Sequence, residues 1–303
     1  MTTIGVFDSG VGGLSVLREL RAQLPDASVV YFADSAHVPY GPRTLEEVRG
    51  FAEGITRFLL DQGAQVIVVA CNTASAAALK HLRTTFPSVP FVGMEPAVKP
   101  AAERTQTGVV GVLATPATFQ GELFASVVER FAQGVRVITQ VCPGLVQQIE
   151  AGELDTPKTE ALLRGWAEPM LAQNIDALVL GCTHYPFIAP ALAKICGEGV
   201  RIINPAPAVA RQTVRVLGGE QDGKGAEERG SGGDVIYFTS GDRLKFSRSM
   251  ARLGMEPGKV RAARWFADAV ELTAPQSSAS APRAAPPTSA RRAPSPASSP
   301  RKR

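Results

Sequence analysis

Two short segments of the sequence place a cysteine and polar neighbours directly after an apolar run. Cys71-Asn72-Thr73 follows VIVVA, and Cys182-Thr183-His184 follows ALVLG. A free thiol has a pKa of ~8.5, so one thiolate and one thiol can coexist near neutral pH after modest tuning. The thiolate can remove a proton from one face of a carbon while the thiol returns a proton to the opposite face. Such a pair would invert a stereocentre by general acid–base catalysis, without a redox change.

A third polar turn, Asp8-Ser9-Gly10, follows the first apolar run of the chain. In open α/β sheets, ligands bind beyond the carboxyl ends of the strands, so we expect all three turns at one site. A helix N-terminus there would lower the pKa of a nearby thiol, which makes Cys71 and Cys182 candidate thiolates. A lone cysteine is more often a small buried apolar residue, and Cys142 and Cys196, which lack polar successors, are interpreted in that way.

Several neighbouring side chains have both a functional and a structural interpretation. Asp8 could orient a thiol, accept a proton or bind an ammonium, or it could only cap a turn. His184 could hold Cys182 as a thiolate, or it could be a satisfied, partly buried imidazole; beside Cys182 we favour the functional role. Tyr40 lies in a Pro/Gly loop and could close over a ligand or simply pack.

Other catalytic motifs are missing from the sequence. It contains no C-x-x-C redox motif and no P-loop, and its three histidines show no metal-ligand spacing such as H-E-x-x-H. The glycines after the first strand read D-S-G-V-G-G rather than G-x-G-x-x-G, and Asp34 is the one acidic residue suitably placed after the second strand. A dinucleotide site is therefore the weaker interpretation, and we predict neither metal nor cofactor.

The elements that would position these turns alternate between strand-like and helical patterns. Nine apolar runs predict strands, most of them without the strict alternation of a half-exposed strand. They are Ile4–Asp8, Val29–Ala33, Val66–Ala70, Val89–Met94, Val109–Leu113, Val135–Thr139, Ala177–Leu180, Val200–Ile203 and Val235–Phe238. Helical stretches such as Gly13–Leu24 and Thr44–Gln62 separate them, the second opening with the capping-box pair Thr44 and Glu47. This alternation predicts α/β architecture with parallel sheets covered by helices on both faces.

A faint internal repeat suggests two related halves. GVFDS at residues 5–9 resembles GVLAT at 111–115, and VIVVACNT at 66–73 resembles ALVLGCT at 177–183. Chance similarity between apolar strands is the alternative explanation. If the repeat is real, each half contributes one thiol to the site.

Composition places the chain among globular proteins. Its 303 residues are 45% hydrophobic and 20% charged, and no stretch approaches the ~20 apolar residues of a membrane helix. The N-terminus carries no signal-peptide pattern and four cysteines are too few for a disulfide framework, so we expect a cytoplasmic protein with free thiols.

The basic pI comes from the C-terminus. Residues 274–303 contain six basic and no acidic residues, so removing them takes the net charge from +4 to −2. This Pro/Ser/Ala/Arg-rich tail is predicted to be disordered, and Gly218–Gly233 is predicted to be a long surface loop. The tail lacks interleaved aromatic residues, so any binding to nucleic acid would be non-specific and salt-sensitive, and we expect no specific nucleic-acid or membrane partner.

Six segments of the chain together resemble the glutamate racemases of the aspartate/glutamate racemase family. The segments are IGVFDSGVGG (4–13), PYG (39–41), ACNTAS (70–75), LATPAT (113–118), IEAG (149–152) and LGCTHYP (180–186). Each alone is a modest signal, but their joint order and spacing, with both cysteines present, is specific. The resemblance extends to about residue 272 and leaves out only the tail.

The resemblance implies interconversion of L- and D-glutamate without pyridoxal phosphate or metal, with D-glutamate then used for peptidoglycan. It assigns deprotonation of D-glutamate to Cys71 and of L-glutamate to Cys182. Asp8 would assist near Cys71 and His184 near Cys182, and Glu150 matches a further carboxylate of the family. The positions that match substrate-binding residues are Asp8, Ser9, Tyr40, Gly41, Asn72, Thr73, Thr183 and His184. Thr115 and Thr118 add hydroxyl donors for the carboxylates of glutamate.

The family fold implies two flavodoxin-like halves that face each other across a cleft. Residues 1–96 and 205–273 would form a discontinuous first domain, and residues 97–204 the second. A homodimer is one option that the resemblance leaves open. The closest alternative function is racemisation of aspartate or a related amino acid, and a non-catalytic two-lobed amino-acid-binding protein is the alternative from another class.

Overall fold

The computed structural model describes residues 2–120, 122–218, 232–255 and 258–273. Most of the predicted Gly218–Gly233 loop and all of the predicted tail lie outside the described residues. The described residues up to Thr273 form one compact unit.

The described chain alternates between strands and helices. In chain order the strands are β1 (Thr3–Asp8), β2 (Ser28–Ala33), β3 (Val66–Val69), β4 (Phe91–Gly93), β5 (Val109–Ala114), β6 (Arg136–Val141), β7 (Ala177–Gly181), β8 (Arg201–Ile203), β9 (Val235–Thr239), β10 (Lys259–Phe266) and β11 (Ala269–Leu272). The helices are α1 (Leu14–Gln23), α2 (Leu45–Asp61), α3 (Asn72–Thr85), α4 (Val98–Ala102), α5 (Pro116–Gln120), α6 (Glu122–Phe131), α7 (Leu145–Glu150), α8 (Pro157–Leu171), α9 (Ala189–Cys196), α10 (Ala206–Val216) and α11 (Arg243–Arg252). A short 3-10 helix, Tyr185–Ile188, precedes α9.

In the described part of the chain these strands form two sheets. The larger has the order β11-β10-β9-β2-β1-β3-β4, and the smaller has the order β6-β5-β7-β8. The larger sheet contains the run β2-β1-β3-β4, and the smaller sheet consists of β6-β5-β7-β8. Counted along the chain within each sheet, both runs have the order second, first, third, fourth, with which a flavodoxin-like sheet begins. The predicted α/β class with two flavodoxin-like sheets is therefore confirmed. It also explains the repeat, because β1 and β5 occupy equivalent central places, as do β3 and β7.

The apolar faces of the strands explain how two sheets form one compact unit. Val68 of β3 and Leu180 of β7 belong to one buried cluster that is shared by both sheets. Their neighbours point to the opposite faces, where Val69 packs in a second cluster and Val179 in a third. This alternation covers both faces of each sheet and accounts for the unbroken apolar runs in the sequence. The strands of the larger sheet come from residues 3–93 and 235–272 and those of the smaller from 109–203, while the division into two domains stays a prediction.

All nine predicted strands are present with ends shifted by at most two residues, but two further strands were missed. β10 pairs parallel with β9, but β11 pairs antiparallel with β10. The prediction of a purely parallel sheet is therefore wrong for the larger sheet. The sequence KVRAARWF of β10 is rich in cations and lies near an edge of the sheet, where only Ala263 is fully covered. An apolar run is therefore not required there, and the predictive signal is lost.

Gly165 offers a test of the helix assignment. It is exposed inside α8, and a Cβ at this position would meet no atom within 4 Å. Alanine is about 1 kcal/mol more favourable than glycine in a helix interior. Gly165→Ala should therefore raise the melting temperature by about 2–4 °C, measured by circular dichroism. A lower melting temperature would mean that α8 is absent or crowded in solution.

Candidate active site

The three polar turns meet where the carboxyl ends of β1, β3 and β7 come together. Cys71 from the larger sheet and Cys182 from the smaller sheet line the same small cavity, which has a volume of about 10 Å³. The cavity-lining residues are Ser9, Pro39, Tyr40, Gly41, Cys71, Asn72, Thr73, Thr115, Val146, Cys182, Thr183 and His184. The two candidate thiols therefore reach one space from opposite halves of the fold.

Cys71 is the N-cap residue of α3. Its backbone is extended, and its Sγ accepts a hydrogen bond from the backbone N–H of Ala74 at 3.5 Å. Burial raises the pKa of the Cys71 thiol well above its ordinary value, and the negative charge of Asp8 raises it further, which outweighs the lowering effect of the Ala74 N–H. The expectation of a lowered pKa for this thiol is therefore wrong, because a closed site disfavours the thiolate more than one helix terminus favours it. At neutral pH Cys71 is a thiol.

Cys182 has a different electrostatic partner. His184 Nδ1 lies 3.7 Å from Cys182 Sγ, and His184 Nε2 lies 2.8 Å from Glu150 Oε1. Burial alone would lower the pKa of the His184 imidazole, but its hydrogen bonds to Cys182 and Glu150 outweigh burial and hold that pKa well above its ordinary value. His184 is therefore an imidazolium at neutral pH, and it can stabilise negative charge on the sulfur beside it. The two thiols have opposite electrostatic surroundings.

Asp8 and Glu150 stand behind the cavity wall rather than in it. The fully buried Asp8 accepts hydrogen bonds from the backbone N–H of Gly10 and Gly13 through Oδ2, and from the Thr183 hydroxyl through Oδ1 at 3.3 Å. Burial raises the pKa of the Asp8 carboxyl, against the lowering effects of His184 and the two N–H groups. Glu150 Oε1 accepts from the backbone N–H of Val11 at 2.9 Å as well as facing His184. Each carboxylate reaches the cavity through a wall residue.

Neutral donors dominate the cavity wall. The hydroxyls of Thr73, Thr115 and Thr118 form a chain with successive Oγ1–Oγ1 distances of 2.9 Å, which joins the two halves of the fold. Both side-chain polar atoms of the buried Asn72 lack a hydrogen-bond partner within the described residues. A buried amide without partners is costly unless a ligand completes it. None of the cavity-lining residues is lysine or arginine, so an anionic ligand would be held by hydroxyl and amide groups and by the His184 imidazolium.

The β1–α1 turn packs closely against residues of the second half of the fold because two of its positions are glycines. A Cβ at Gly10 would collide with Glu150 Oε1, and a Cβ at Gly12 would collide with His184 Nδ1 and lie 2.6 Å from Thr183 Oγ1. The D-S-G-V-G-G turn is thus a close-contact surface for His184 and Glu150. No such role was predicted for these glycines, because the contacts join residues at least 140 positions apart in the chain.

Ten of the predicted site residues line the cavity, and three do not. Asp8, Glu150 and Thr118 each contact a lining residue instead. Pro39 and Val146 line the cavity but were not predicted. Pro39 belongs to the recognised PYG segment, whereas Val146 is an apolar residue in the first turn of α7 and carries no sequence signal. Cys142 and Cys196 are buried and do not line the cavity.

The described ranges contain neither a metal-binding cluster nor a membrane-spanning helix. No group of three or more His, Cys, Asp and Glu side chains there is arranged to hold a metal ion. Nor does any helix there combine the length and apolar character needed to cross a membrane.

Comparison with known proteins adds an independent finding. Residues 4–213 match the Asp/Glu/Hydantoin racemase family. The glutamate racemase of Roseiflexus sp. (strain RS-1) is 49% identical over 260 residues, which cover 86% of this chain and 95% of that relative. The glutamate racemase of Ectopseudomonas mendocina (strain ymp) is 57% identical over 215 residues, covering 71% and 82%.

Solved structures agree over a similar span. A glutamate racemase isoform from Bacillus anthracis is 32% identical with a TM-score of 0.78, covering 88% of this chain and 98% of that chain. The Escherichia coli glutamate racemase, solved with L-glutamate and the activator UDP-MurNAc-ala, is 33% identical with a TM-score of 0.74, covering 86% and 98%.

Proposed function

Because this chain belongs to the Asp/Glu/Hydantoin racemase family, we propose that it interconverts L-glutamate and D-glutamate with two cysteines, one of which removes the α-proton while the other delivers a proton to the opposite face. The observation that carries the proposal is that Cys71 and Cys182 enter one cavity from two different sheets. A carbon held between them would present opposite faces to the two sulfurs, which is the arrangement that inversion requires.

The proton balance needs no external reagent. In the L-to-D direction the Cys182 thiolate takes the α-proton, and a new S–H bond forms as the C–H bond breaks. The Cys71 thiol then gives its proton to the opposite face and becomes the thiolate. The net change is one proton moved from one sulfur to the other, so the enzyme is left ready for the reverse reaction. His184 holds positive charge beside Cys182, and the high pKa of Cys71 keeps that thiol protonated until it acts as the acid.

The intermediate charge must be stabilised inside the cavity. The α-proton of glutamate is a very weak acid, and fixed donors in a closed site stabilise a carbanion-like transition state better than water does. The hydroxyls of Ser9, Thr73 and Thr183 and the unpartnered amide of Asn72 are suited to the two carboxylates of glutamate. Asp8 and Glu150 act here as positioning residues, because each holds a wall residue, Thr183 or His184, by a hydrogen bond.

Substrate choice can be tested directly. The purified protein should convert L-glutamate to a racemic mixture, followed by the loss of optical rotation, while L-aspartate remains unchanged. Aspartate is one methylene shorter and would leave part of the donor set unused. Faster loss of rotation with L-aspartate would replace glutamate by aspartate as the substrate.

We place the reaction in the cytoplasm and assign its D-glutamate to peptidoglycan, as the resemblance to the family implies. Disruption of the gene should make growth depend on added D-glutamate. Normal growth and wall composition without D-glutamate would argue against this assignment.

The raised pKa of Cys71 predicts that its thiol loses its proton only at high pH. A group whose pKa is raised stays protonated to higher pH, so Cys71 should remain a thiol above the ordinary value of ~8.5. The ultraviolet absorbance of the thiolate, measured from about pH 6 to 10 for the wild type minus Cys71→Ser, should show no midpoint below that value. A difference midpoint near pH ~7 would mean that the site is far more hydrated than described.

A further inference from the structure

A fully buried carboxylate outside the cavity receives donors from two distant parts of the chain. Asp34 directly follows β2, and four side chains surround its two oxygens. Tyr40 donates to Oδ2 at 2.6 Å, while Ser240 and Trp265 donate to Oδ1 at 2.7 and 2.8 Å. His37 Nδ1 lies 2.9 Å from Oδ2. We call these five residues the Asp34 cluster.

The cluster joins the cavity to the C-terminal strands. Ser240 follows β9 and Trp265 lies in β10, whereas Tyr40 belongs to the Pro39–Gly41 loop that lines the cavity. Burial and the charge of Asp34 hold the pKa of the Tyr40 phenol well above its ordinary value, so its hydroxyl remains a donor to the carboxylate. The Tyr40 hydroxyl is therefore committed to Asp34, and the loop meets a ligand through its backbone and its ring.

The loop continues into the second half of the fold. Gly41 packs so closely on Thr115 that a Cβ at position 41 would lie 2.9 Å from Thr115 Cβ. Thr115 in turn bonds Thr73 and Thr118 in the chain of hydroxyls. A shift of the loop would move the wall that carries these donors, while both cysteines lie on other elements.

We propose that Asp34 and Trp265 are positioning residues for the substrate, which fix the Pro39–Gly41 loop against Thr115 through the Tyr40 hydroxyl. This rests on the proposed function. Because the loop contributes to the wall and not to proton transfer, its loss weakens substrate and transition state alike. Such uniform weakening raises KM and leaves kcat nearly unchanged.

The test removes single donors and keeps an aromatic side chain at each position. Trp265→Phe and Tyr40→Phe should each raise KM for glutamate about tenfold or more with kcat changed less than about threefold, as expected for a hydrogen bond to a buried charge. The double variant should raise KM by less than the product of the two single effects, because both donors act through one carboxylate. Trp166→Phe in α8, the other tryptophan of the chain, is the matched control and should leave KM unchanged.

The outcomes separate the two proposals. A wild-type enzyme that does not racemise glutamate sinks the proposed function. If the wild type is active but Trp265→Phe has the same KM as Trp166→Phe, the positioning role is wrong and the proposed function stands. A loss confined to kcat leads to the same conclusion. If Trp265→Phe fails to fold by circular dichroism, Ser240→Ala at the same carboxylate oxygen gives the decision, with the same rise in KM expected.

Discussion

Cys71→Ser should reduce racemase turnover by at least ~100-fold in both directions, and Cys182→Ser should do the same. A serine hydroxyl is a far weaker acid than a thiol. It is therefore hardly ever deprotonated to act as the base, and it returns a proton too slowly to act as the acid. Both directions must suffer, because each thiol is the base in one direction and the acid in the other. Turnover is measured by polarimetry with each enantiomer separately.

The same substitution at the other two cysteines provides the control. Cys142 and Cys196 are also buried but do not line the cavity, so Cys142→Ser and Cys196→Ser should retain near wild-type turnover if they fold. Turnover preserved in Cys71→Ser or in Cys182→Ser would remove the two-thiol assignment. Because the enantiomers have equal free energy, kcat/KM must stay equal for both directions in every variant, which checks the measurements internally.

Gly12→Ala should inactivate the enzyme by a purely steric route. The added methyl would collide with His184 and lie 2.6 Å from the Thr183 hydroxyl. Either the imidazole leaves its place between Cys182 and Glu150, or the β1–α1 turn moves away from the second half. Overpacking of this kind costs about 1–3 kcal/mol of stability. Turnover should fall by about 100-fold, since the charge partner of Cys182 is displaced.

Gly165→Ala is the matched control, because it adds the same methyl group where no atom lies within 4 Å. It should be fully active and slightly more stable. Polarimetry and thermal melting of both variants make the comparison. A Gly12→Ala enzyme with normal turnover and an unchanged melting temperature would show that the two halves do not approach each other as described.

The sequence predicted the parts of the site that depend on local order. Apolar runs end directly before Cys71 and Cys182, and a parallel sheet carries such ends to one edge. The repeat with offsets of 106 and 111 residues predicted that each half supplies one thiol, and the matching sheet orders agree with it. These features follow from strand patterning, which needs no knowledge of the tertiary fold.

Other features depend on contacts that no local pattern encodes. Asp34 meets Ser240 and Trp265 across 206 and 231 residues of chain. The direction of the Cys71 pKa shift depends on burial and on Asp8, so the rule for helix N-termini failed there. β10 was missed because this cation-rich strand is only partly covered, and Val146 was missed because an apolar residue on a short helix looks like core.

The sharpest test of the two-thiol assignment follows hydrogen at the α-carbon in heavy water. With L-glutamate as substrate, the first D-glutamate formed should carry deuterium in nearly every molecule, while the remaining L-glutamate keeps its protium. Separate groups would then remove and return the proton. D-glutamate that retains the original protium, or L-glutamate that exchanges as fast as product forms, would contradict removal of the α-proton by one cysteine and delivery of a new proton by the other.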